Sequence, residues 1–88
     1  MHRPELAAAL QEAFDADPDA ARVVARAAGD LSDSGAYGDD IGEEIDGKVI
    51  VSELRDAPAD SDLIERWNWW IGSLELAYGD YEQFLVSR

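Results

Sequence analysis

DLIERWNWWIGSLELAY, residues 62–78, holds all three tryptophans of the 88-residue chain. Wound as an α-helix at about 3.6 residues per turn, it sets Trp67 and Trp70 on one stripe with Leu63, Ile64, Ile71, Leu74, Ala77 and Tyr78. Trp69 falls outside that stripe. At about 100° per residue it faces away from Trp67, and Leu76, seven residues on, lies on the same outer line. A helix with a core stripe and a second apolar pair opposite is either sandwiched within its own domain or meets a partner. Asp62, with Glu65 three residues on, has the form of a capping box, Ser61 being the alternative N-cap, and Gly79 marks the end.

The segments around this helix are read from their punctuation. Residues 48–57, KVIVSELRDA, carry two periods at once: Val49, Ile50 and Val51 suit a strand, whereas Ile50, Leu54 and Ala57 align at helical spacing. Asp46 as a cap and Pro58 as a stop weigh toward helix. Residues 32–47, SDSGAYGDDIGEEIDG, hold four glycines and six acidic residues. Glycine and like charge together oppose order, so this stretch reads as a solvated acidic loop. Downstream, DYEQFLVSR carries Tyr81, Phe84, Leu85 and Val86, too apolar for a free end, and is expected to fold back onto the core as a short strand or turn.

The first 31 residues read as a helical hairpin. Pro4 suits the first turn of a helix reaching about Phe14, with Leu6, Ala9, Leu10 and Ala13 on one face. Asp17 caps a second helix whose first position is Pro18, and Ala20, Val24, Ala27, Ala28 and Leu31 form its apolar stripe opposite Arg22 and Arg26. Small alanines on both stripes let the two helices approach closely. No internal repeat is present. The expected fold is a mainly α, small single-domain bundle of three to four helices over residues 1–88, with room for a short two-stranded β element near Lys48 and the tail. Its parts are the hairpin (1–31), the acidic glycine-rich loop (32–47) and the half containing the Trp helix (48–88).

Composition limits the chemistry. Twenty Asp and Glu oppose seven Lys and Arg, a formal net charge of −13, and Lys48 is the single lysine. Such a field repels phosphate, which argues against nucleic acid and anionic membrane as partners and favours basic protein surfaces. The chain has no cysteine, so there is no disulfide framework, thiolate metal site or thiol nucleophile. No apolar run approaches the ~18 residues of a membrane span, and MHRPELAAAL lacks the long apolar core of a cleavable signal. The expectation is a soluble cytoplasmic protein.

Apparent chemical motifs fail on inspection. Asp15, Asp17 and Asp19 have the spacing that opens a calcium loop, yet the sixth and twelfth positions are Ala20 and Arg26 where glycine and glutamate are needed. Capping explains the run better. Asp39, Asp40, Glu43 and Glu44 would gather a divalent cation only weakly and without selectivity. His2, the lone imidazole, has no neighbours suited to a zinc site or a serine-histidine triad. A carboxylate pair for hydrolysis is available by residue type, but a domain this short has little room for both a core and a pocket that raises a carboxyl pKa. No catalytic residue, metal ligand or cofactor is therefore expected.

RWNWW mixes aromatic and polar side chains as binding surfaces do. Arg66, Trp69, Gly72, Ser73 and Leu76 are the candidate partner-binding residues, the small Gly72 and Ser73 allowing a neighbouring helix to approach and an isologous dimer to form. The run ERWNWWIGSLELAYGDYEQF and the overall composition resemble small acidic uncharacterised haloarchaeal proteins, chiefly over residues 56–85. The resemblance implies a salt-loving habitat and a shared fold, and carries no activity, cofactor or catalytic residue. Acidity then serves hydration in molar salt, where the Debye length falls to about 3 Å. The functional expectation is a non-enzymatic interaction module binding itself or another protein. An acidic nucleic-acid mimic seated on a basic protein is the second reading, and a small carboxylate-pair hydrolase the third.

Overall fold

The computed structural model describes residues 2–87. Its elements are α1 (Arg3–Phe14), α2 (Pro18–Ser34), α3 (Ala36–Ile41), α4 (Gly47–Arg55) and α5 (Leu63–Tyr78), followed by a single 3-10 turn at Glu82–Phe84. No strand forms among the described residues, and the ambiguous segment after Asp46 is helical. No helix there is long and apolar enough to cross a membrane.

The helix starts follow from local chemistry. Asp17 accepts from the backbone N–H groups of Asp19 and Ala20 at 3.1 and 3.3 Å, Asp46 accepts from that of Val49 at 2.8 Å, and Asp62 and Glu65 close a reciprocal capping box at 2.8 and 3.0 Å. Each satisfies a donor the first helical turn leaves open. The carboxylates at 15–19 thus include a helix cap, and among the described residues no three acidic or imidazole groups gather as a metal cage would need. Asp15 ends α1 in the left-handed region at φ 49°, a conformation aspartate tolerates better than most residues.

α1 and α2 form the expected hairpin, tied at its open end where Arg3 reaches Asp30 and Asp33 at 3.4 and 3.3 Å. The guanidinium lies across Gly29, whose missing side chain leaves it room. The buried faces keep the larger residues of the expected stripes and differ at the alanines: α1 buries Leu6, Ala7 and Leu10, with Ala9 exposed, and α2 buries Ala21, Val24, Ala25, Ala28 and Leu31, with Ala20 and Ala27 half-buried. Alanine carries too little area to fix a helix's rotation, so the larger Leu6, Leu10, Val24 and Leu31 set it.

The expected loop at 32–47 is a correction. Its first three residues complete α2, Gly35 turns the chain at φ 74°, and α3 follows until Gly42 at φ 86°. These two glycines act as left-handed helix ends, not as flexible spacers. What orders α3 is Tyr37, 6% exposed and packed on Trp70 with ring centroids 5.8 Å apart. One aromatic anchor outweighs the like charge around it.

Leu10, Val24, Leu31, Ile50, Leu54, Trp67, Ile71 and Tyr81 are the largest fully enclosed side chains, and no polar or charged residue is buried among those described. Trp67 and Trp70 meet edge to face, 5.5 Å between centroids. The chain then turns sharply at Gly79 and Asp80, both at positive φ, and brings Tyr81 and Phe84 back into the core. The tail folds back as expected, as a turn.

Candidate functional site

Within residues 67–70, Trp-Asn-Trp-Trp, three side chains hold the molecule together. Trp67 is fully enclosed and its indole N–H donates to the Phe84 carbonyl at 2.8 Å. Trp70 packs between Trp67 and Tyr37. Asn68 grips the tail with both ends of its amide, donating to the Val86 carbonyl at 2.9 Å and accepting from the Val86 N–H at 2.8 Å. The tail is fastened twice more. Tyr81 N–H donates to the Glu75 carboxylate at 2.7 Å, and the Tyr81 hydroxyl donates to Asp40 of α3 at 2.8 Å. Burial, reinforced by that bond to Asp40, pushes the Tyr81 phenol well above its ordinary pKa. Tyr37 is also raised, first by burial and then by Glu53 and Glu43.

Trp69 alone of the four points outward, 40% exposed. With Gly72, Leu76 and Leu85 it lines a groove of about 510 Å³ between α5 and the returning tail, bordered by Glu75 and Glu82. Leu76 stands 91% exposed. Beyond its chain neighbours and its own helix backbone, nothing lies within 4 Å of where a side chain on Gly72 would begin, so the groove is open at its middle. Ser73 borders it too, but its hydroxyl donates to the Trp69 carbonyl at 3.0 Å within the same helix.

Arg66 belongs elsewhere. Its guanidinium donates to the carbonyls of Leu54, Ser61 and Ala59 at 3.0, 3.2 and 3.4 Å and lies 5.1 Å above the Phe14 ring. It clamps the α4–α5 turn against α1, with each of its three nitrogens donating to a carbonyl of that segment, and stands apart from the other four candidates.

The tertiary structure adds residues to the face. Leu85, 47% exposed, also borders a second groove of about 250 Å³ formed with Val23, Arg26, Ala27, Phe84 and Val86. Val23 is 42% exposed. Its signal was present in the sequence as a valine on the polar side of α2, between Arg22 and Arg26. Leu85 had none, because the apolar run of the tail does not say which residue turns out. A larger hollow of about 940 Å³ lies between α1 and α4, with Ala9, Ala13 and Val51 along it and Lys48 and Arg55 at its edge.

A family model, the WNWW domain, matches residues 1–75, and residues 67–70 spell those four letters. The chain belongs to the WNWW domain family. The match spans all of α1 to α4 and stops inside α5, before Leu76 and the tail that Asn68 holds. No curated protein and no solved structure matches the chain. In this WNWW domain, then, Trp67, Asn68 and Trp70 have internal structural partners, and Trp69 is the residue of the four left at the surface.

Proposed function

We propose that this WNWW domain is a non-enzymatic protein-interaction module whose docking face is built on Trp69, Gly72, Ser73, Leu76 and Leu85 and binds a second copy or another protein. One observation carries the reading. Four of the five large hydrophobics exposed among the described residues, Val23, Trp69, Leu76 and Leu85, line two adjoining grooves that share Leu85. Scattered singly, such residues need no explanation; gathered on one side of a small domain they mark a binding surface. A projecting Trp beside an open glycine is the geometry of an anchor residue. The absence of a buried charged side chain among the described residues favours this reading over hydrolysis by a carboxylate pair. The net charge of −13 fits hydration in a salt-rich cytoplasm and exclusion of acidic competitors.

The test compares Trp69→Ala/Leu76→Ala with the wild-type chain in co-purification from the source organism, alongside melting curves. The expected result is unchanged melting to within a few degrees and loss of the partner, whether another protein or a differently tagged copy of this chain. Retention of the same partners by the folded variant would rule the face out.

A further inference from the structure

We infer that the occupant of this face is a second copy of the chain, docked about a two-fold axis that passes through Leu85 and runs between the two grooves. The inference rests on the docking-face reading and adds the partner and the geometry. Leu85 separates two unlike grooves. One carries the cation Arg26, which has no ion pair among the described residues; the other carries Glu82, equally unpaired. A two-fold operation turns the face over, so with the axis between the grooves each copy's Arg26 groove meets the partner's Glu82 groove. Both charge pairs then form at once at the rim, with Leu85 against Leu85 at the centre and Trp69 and Leu76 set against Val23 and Ala27. An axis at right angles to this one would oppose like to like, Arg26 to Arg26 and Glu82 to Glu82, and is disfavoured.

The neighbouring charges support the same choice. Asp30, which shares the Arg26 groove, is held by Arg3, and Glu75, which shares the Glu82 groove, already accepts the Tyr81 N–H. Arg26 and Glu82 are left as the groups free to pair across the axis. The projecting Leu76, 91% exposed, has the recess beside Val23 and Ala27 to enter. A standard interface removes about 800 Å² from each partner, an area that a face spanning α2, α5 and the tail of a body 31 × 26 × 21 Å in extent can supply.

Sedimentation equilibrium of the full chain between about 0.2 and 2 M KCl tests the inference. The expected result is a dimer that tightens with salt, because general repulsion between two copies of charge −13 is screened as the Debye length shrinks. At about 0.2 M, Arg26→Glu and Glu82→Arg each weaken the dimer by about tenfold, since both pairs become repulsive, and an equimolar mixture of the two variants restores it. Glu82→Arg is the more telling, because it lowers the net negative charge, and general repulsion alone would make that variant associate more tightly. Leu76→Glu gives a monomer with unchanged melting. A wild-type monomer at every salt concentration, single variants that dimerise like wild type, or a mixture no tighter than its components would each overturn the two-fold dimer. With a monomer, loss of a different protein from the Trp69→Ala/Leu76→Ala variant would still uphold the docking face.

Discussion

The two sides of α5 put the same residue type to opposite uses. Trp67 and Trp70 are 0 and 3% exposed and touch each other, Tyr37 and the tail. Trp69, between them in sequence, is 40% exposed and shares its face with Leu76 and Leu85. Inside, each indole is fixed by ring contacts and, for Trp67, by a hydrogen bond; outside, the apolar area is available for a partner. A side chain's role here depends on its angle around the helix as much as on its identity.

The largest effect should come from the inner side. Trp67→Ala removes a fully buried indole and leaves the Phe84 carbonyl without its donor, at a cost of about 3–5 kcal/mol. Total stability for a chain of this length is about 4–13 kcal/mol, so urea denaturation followed by circular dichroism should show a largely unfolded or barely folded protein. Asn68→Ala sharpens the comparison on the helix's flank. It strips both partners from Val86, costs about 1–3 kcal/mol, and should speed amide exchange at Val86 while α1 to α4 stay protected.

The inner side also carries a pH dependence. Tyr37 and Tyr81 hold their protons more tightly in the folded state, so their contribution is complete below the ordinary phenol pKa of about 10. Above it the unfolded chain loses protons that the native state keeps, and stability falls by up to about 1.4 kcal/mol per pH unit for each tyrosine. Denaturation midpoints measured from pH 8 to 11 should be level at first and then drop, with a shallower drop in Tyr81→Phe. The smallest effect on the fold should be that of Trp69→Ala, about 1 kcal/mol or less. A loss as large as that of Trp67→Ala would erase the distinction between the two sides.

Much of this architecture was legible in the residues. Asp17, Asp46 and Asp62 cap the helices because their carboxylates reach N–H groups two or three residues on, a purely local arrangement, and Ile50, Leu54 and Ala57 lie at helical spacing. The segment from Ser32 to Gly47 was misleading, because Tyr37 finds Trp70 only once α5 is in place, and that contact converts Gly35 and Gly42 from apparent spacers into helix ends. Ala7 took the place expected of Ala9 for a related reason: alanines mark a close approach without fixing its rotation. Arg66 joins Trp69 as a candidate through the mixed aromatic and polar run RWNWW, yet its long side chain turns toward the carbonyls of Leu54, Ala59 and Ser61, acceptors supplied by a turn that residue composition does not describe.

By itself the sequence determined a helical domain, the N-caps Asp17, Asp46 and Asp62, the inward direction of Trp67 and Trp70 and the outward direction of Trp69 and Leu76, because periodicity and capping act within a few residues; Ala77 and Tyr78, at the end of the expected stripe, are instead exposed. Only the tertiary structure decided what surrounds Trp69. Leu85 and Val23 lie on different elements from Trp69, and Arg26 and Glu82 come to flank Leu85 only after Asn68, Glu75 and Asp40 have drawn the tail back across the core. A surface made from separate segments depends on packing between them, which no local pattern specifies.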